Sequence, residues 1–151
     1  MLKYLPMHHR LCTFVLCLAA LPLAAQLSSA LPADRLALAN QLAKRGLYVE
    51  ALKEYEAIRQ AKGIPRDEVL FKLGETYRGL TPPKTDAALK AYADLLREFP
   101  TSRYVDYARL NRAMLQSEPV RTKELLELDR AGASEQIRVT ALYYLGETAE
   151  R

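Results

Sequence analysis

Residues 67–100, DEVLFKLGETYRGLTPPKTDAALKAYADLLREFP, carry two apolar stripes of helical period separated by a segment that cannot be helical. Leu70, Leu73, Gly74 and Tyr77 recur at steps of three and four, which puts them on one face of a helix. Ala88, Tyr92 and Leu95 repeat that spacing in the second half. Pro100 then stops the helix, because it lacks an N–H and its ring clashes with the preceding turn. Between the stripes, TPPKT (81–85) supplies a turn. Two helices joined this closely lie antiparallel. Gly74 is expected to admit the second helix at close range, with Ala88 facing it.

The same unit recurs around it. An earlier helix carries Leu38, Ala39 and Leu42, with Asp34 as its N-cap and Gly46 at its end. A second starts near Tyr48, carries Ala51, Tyr55 and Ile58, and is closed by Gly63 and Pro65. Beyond Pro100, Thr101 or Ser102 is expected to cap a fifth helix through Tyr107, Ala108, Ala113 and Met114 to about residue 116. Pro119 marks the next turn. A short sixth helix, 122–130, carries Leu125, Leu126 and Leu128 and ends at Gly132. A seventh, from Ser134, is expected to pack Leu142, Leu145 and Ala149 on the sixth and to leave Tyr143, Tyr144 and Glu147 partly bare. LGET occurs at 73–76 and again at 145–148, a separation of 72 residues or two units of 36. The small residues Ala39, Gly74, Ala113 and Gly146 mark equivalent places, spaced 35, 39 and 33 apart.

The first 30 residues follow a different plan. Lys3 and Arg10 give a basic start, residues 11–23 are apolar and uncharged, and Ala24, Ala25, Ser28, Ser29 and Ala30 are small. That is the layout of a secretory signal peptide, 1–25, with cleavage as late as residue 30 also suited. The uncharged stretch 11–31 is just long enough to serve instead as an uncleaved anchor, although Pro22 and Gln26 interrupt it. Leu16 before Cys17 argues against a lipoprotein signal, which wants a small residue there. Residues 26–33 form a linker, and one helical domain spans 34–151.

Export changes the available chemistry. Cys12, Cys17, His8 and His9 all lie in the leader, so the processed chain has neither thiol nor imidazole. Disulfides, Cys/His metal sites and Ser-His-Asp or Cys-His catalysis are thereby excluded. No Gly-rich phosphate loop is present. Without Lys3 and Arg10 the formal charge falls from +4 to +2, and acidic and basic residues are interspersed. That gives no nucleic-acid footprint. The expectation is a protein without catalytic residues, metal or cofactor.

Leu38-Ala39…Leu42…Gly46-x-Tyr48…Ala51…Tyr55…Ile58 and Leu70…Leu73-Gly74…Tyr77…Ala88…Tyr92…Leu95…Pro100 resemble the tetratricopeptide repeat (TPR). The phrase FPTSRYVDYARLNRA resembles the variant of bacterial envelope proteins, among them outer-membrane assembly lipoproteins and Tol–Pal coordinators. Two departures are Arg35, where a large apolar residue is usual, and the missing Ala-x3-aromatic pair in the third repeat. The resemblance implies an all-α fold, a right-handed superhelical stack of antiparallel helix pairs (an α-solenoid) of about 3.5 repeats behind the signal helix. The repeats would be 34–65, 67–100 and 102–132, with a half repeat at 134–151. It implies a concave groove lined by Leu36, Asn40 and Lys44, then Phe71, Glu75 and Arg78, then Tyr107, Leu110, Asn111 and Met114, and last Tyr143 and Glu147. Phe71, Tyr107 and Tyr143 would either grip a peptide as an aromatic strip or pack between neighbouring helices. The implied function is a protein-binding scaffold in the periplasm of a Gram-negative-type bacterium, touching membrane only through the leader. Alternatives are a tethered spacer that oligomerises through the last helix, and the N-terminal arm of a longer protein.

Overall fold

Each helix boundary follows from a local signal. The computed structural model describes residues 31–131 and 133–149. Residues 1–30, on which the expected signal peptide falls, Gly132, the last two residues and the side chains of Thr148 and Ala149 lie outside the described residues. Helix α1 (Pro32–Lys44) starts on a proline, whose missing N–H would be unsatisfied there in any case. It begins two residues before the expected cap, and Asp34 sits inside its first turn, where a carboxylate favours the helix dipole. Gly46 ends α1 at φ +76°, with Leu47 N–H bonded to Leu42 O and Gly46 N–H to Ala43 O, both 3.0 Å. This is the Schellman closure that a left-handed glycine permits.

Helix α2 (Tyr48–Ile58) follows at once, and α3 (Arg66–Gly79) begins after Gly63 (φ +80°) and Pro65. Helix α4 (Thr85–Glu98) includes Thr85, so the turn is one residue shorter than expected. Helix α5 (Val105–Leu115) starts late, without a side-chain cap. Ser102 accepts from Tyr104 N–H (3.2 Å) and donates to Asp67 (2.6 Å), so it ties the turn to α3 instead of capping α5. Helix α6 (Val120–Arg130) starts two residues early, with Glu118 accepting from the Thr122 hydroxyl at 2.6 Å. Helix α7 (Glu135–Ala149) completes an all-α fold, with no strand among the described residues. None of these helices is long and apolar enough to cross a membrane.

Each helix packs chiefly on its neighbours in the chain, most densely within the pairs α1/α2, α3/α4 and α6/α7; α1 also touches α3, and α5 touches α7. Three core clusters hand over from one to the next. Ala39, Ala51, Tyr55, Ile58, Val69 and Leu73 form the first. Leu70, Phe71, Ala88, Tyr92, Leu95 and Ala108 form the second, so α3 serves both. Leu110, Ala113, Leu125, Leu128, Ile137 and Ala141 form the third, and α5 is likewise shared. Arg59, capping the C-terminus of α2, reaches the buried Asp94 of α4 at 3.1 Å, and Arg97 holds the other oxygen at 2.7 Å.

Some apolar residues miss the core. Leu38 is 42% exposed and Leu126 38%, because the buried stripes run through Ala39 with Leu42 and through Leu125 with Leu128. In α7 the helix turns Ile137 and Ala141 inward and leaves Leu142 49% exposed.

The close approach at Gly74 is real, but its partner is not Ala88. A Cβ there would lie 2.6 and 2.8 Å from Cζ and Cδ1 of the buried Tyr92 ring, one helical turn beyond Ala88. Gly79, further along α3, is pressed in the same way by the Tyr48 ring at 2.7 Å. Gly146 is exposed, with nothing within 4 Å of its Cβ position. Gly74→Ala is therefore expected to lower stability by about 1–3 kcal/mol through overpacking. Gly146→Ala is expected to raise it by about 0.5–1 kcal/mol through helix propensity alone. Urea denaturation of both variants checks the opposite signs.

Candidate functional site

Helices α1 and α3 are not consecutive, yet their facing sides enclose a cleft of about 390 Å³. Asn40 and Lys44 enter it from α1, and Glu75 and Arg78 from α3. Four of the twelve expected groove residues thus meet in one place. The floor is set by Tyr55 of α2, whose hydroxyl donates to Asn40 Oδ1 at 2.6 Å. Asn40 Nδ2 in turn reaches Glu68 at 3.4 Å, which fixes the amide's orientation. Asn111 joins from α5 by accepting from Arg78 Nη1 at 3.0 Å.

The cleft's charge is unbalanced. Lys44, Lys72 and Arg78 line it against the single carboxylate Glu75. Lys72 Nζ pairs with Glu75 at 2.8 Å, and the exposed Lys44 has no ion pair among the described residues. Burial pushes the Tyr55 phenol above its ordinary value, and Glu75 and Glu68 add to the effect. Burial also raises Tyr92; Arg78 and Asn111 oppose this and Glu75 adds to it. What the cleft offers is donors, namely ammonium, guanidinium and amide groups above a neutral phenol.

The other expected residues fall elsewhere. Phe71 is only 6% exposed and belongs to the core. Its ring stacks on Tyr104 (4.9 Å between centroids, 18° between planes) and meets the edge of Tyr107 at 6.3 Å. Of the two expectations for the aromatic residues, Phe71 follows the packing between neighbouring helices, and it leaves Tyr107, 41% exposed, at its outer edge. Leu110 is buried in the third cluster, and Leu36 packs against the first. Met114 is half-buried on α5. Tyr143 and Glu147 are exposed on α7, where Tyr143 meets the edge of Tyr144, and neither lines the cleft. Tyr48, Tyr55 and Gly79 line the cleft without having been expected there.

Searches of protein-family models, curated proteins and solved structures find no match to this chain.

The phenols give the unit a pH signature. Tyr77 donates to Glu56 across the α2–α3 junction. Burial, then that hydrogen bond and the charge of Glu56, push its pKa up to about 12, against a smaller opposing pull from Arg59. The folded state therefore holds this proton more tightly than the unfolded chain, whose phenols ionise near an ordinary value of about 10. The contribution is complete below pH 10 and is lost as pH rises towards 12. Urea midpoints are expected to fall across that window, and Tyr77→Phe is expected to flatten the fall. Equal slopes for the two proteins would contradict the assignment.

Proposed function

We propose that this chain is a non-catalytic scaffold of the tetratricopeptide kind, exported to a bacterial envelope, which holds a partner protein segment in the α1–α3 cleft. The observation that carries this reading is the convergence of Asn40, Lys44, Glu75 and Arg78 from two helices separated in sequence. Three features support it. Core clusters pass from hairpin to hairpin, as a stack of repeats requires. The cleft is framed by side chains on rigid helices rather than on loops. Its surplus of cations suits a segment carrying carboxylates or backbone carbonyls. Arg78 extends the surface towards α5 through Asn111, so the segment would run across α1, α3 and α5.

Replacing Lys44 and Arg78 by glutamate together tests the reading, since both side chains are exposed and neither belongs to a core cluster. With a photo-crosslinker on Gln41, the wild-type protein is expected to capture a defined partner in envelope fractions. The double variant, equally stable, is expected to capture about tenfold less or lower still. Equal capture by both would remove the cleft from the interaction.

A further inference from the structure

Helix α7 repeats α3 at a distance of 72 residues, and the two differ in what covers them. In α3, Leu70 is fully buried, Phe71 is 6% exposed and Gly74 is buried beneath the Tyr92 ring. Their counterparts are Leu142 at 49%, Tyr143 at 66% and Gly146 with nothing within 4 Å. Val139, one turn before Tyr143, is 61% exposed. Val139, Leu142, Tyr143 and Gly146 recur at steps of three and four, so they form one stripe. This face is built like a covered one and is bare among the described residues.

The covered copy shows what it takes. Glycine at this position receives an aromatic ring from a crossing helix. The most exposed aromatic ring among the described residues is Tyr143, on the same stripe as the empty seat. A patch that carries both ring and seat is complementary to itself, which is the requirement for a two-fold interface. We propose that α7 pairs antiparallel with α7 of a second copy, the Tyr143 ring of each lying over Gly146 of the other.

Helix geometry favours the antiparallel sense. Side chains lean towards their own helix's N-terminus. In an antiparallel pair that direction is the neighbour's C-terminal direction, so Tyr143 leans towards the neighbour's Gly146. With the two-fold axis between Leu142 and Tyr143, Val139 faces Gly146. The same register sets Arg138 of one copy level with Glu147 of the other, a charge pair at each end of the seam. Arg138 is half exposed beside Asp129, and Glu147 is exposed, so both are placed to take part. One helix against one helix is a small interface, so the dimer dissociates on the order of micromolar concentration.

Sedimentation velocity on the protein as isolated, over loadings from about 1 to 200 µM, reads this as mass action. Wild type is expected to pass from monomer to dimer. Tyr143→Ala and Gly146→Leu, both at open positions, are each expected to weaken dimerisation by about 30-fold with unchanged helicity. Mixing the two variants re-creates one intact ring–glycine contact, so the mixture is expected to associate more tightly than either alone. A monomer at all loadings, or a dimer indifferent to both substitutions, would overturn the proposal. So would a monomer whose α7 amides become protected only on adding a peptide of the α4 sequence, since that assigns the face to a different helix. None of these outcomes depends on what the α1–α3 cleft binds.

Discussion

The Tyr92 ring against the bare backbone of Gly74 sets the distance between α3 and α4. A helix crossing over a glycine can come nearer than one crossing over any side chain, and a ring fills the space gained without leaving a void. Tyr92 is thereby sealed in the second core cluster, together with Leu70 and Phe71 from α3 and Ala108 from α5. Because α3 gives Val69 and Leu73 to the first cluster and Leu70 and Phe71 to the second, its position is fixed from both sides.

The cleft is a consequence of that spacing. Tyr48 against Gly79 joins the first hairpin to the second, as Tyr92 against Gly74 joins the two halves of the second. With both contacts closed, the outer sides of α1 and α3 are held apart by the phenol of Tyr55, and the space above it is the cleft. The polar residues at its walls are oriented by partners on other helices: Asn40 by Tyr55 and Glu68, Arg78 by Asn111. Orientation before binding reduces the entropy a partner would otherwise have to offset.

Much of this was legible in the residues. Periods of three and four gave the helices, and Gly46, Gly63, Pro100 and Pro119 gave their ends to within a few residues, because glycine and proline act through the local backbone alone. Asn40, Lys44, Glu75 and Arg78 came from the resemblance to the repeat, and all four line one cleft. The residues were silent where a side chain's surroundings depend on a neighbouring helix. Phe71 has the spacing of a groove residue, but Tyr104 from the next turn covers it. Small against small puts Ala88 opposite Gly74, whereas the residue one turn later fills the gap. Leu142 is apolar and expected to face α6, yet the inward direction is set by where adjacent helices lie, which periodicity does not report. Ser102 is a good capping residue, but its hydroxyl accepts from Tyr104 N–H ahead of α5 while donating to Asp67 of another helix.

A double-mutant cycle between Gly74 and Tyr92, read by urea denaturation, tests this account most directly. The loss caused by Gly74→Ala is expected to vanish when Tyr92 is replaced by leucine, giving a coupling energy of at least about 1 kcal/mol. Additive effects, with the alanine equally costly whether or not the ring is present, would show that these helices are not spaced by this contact.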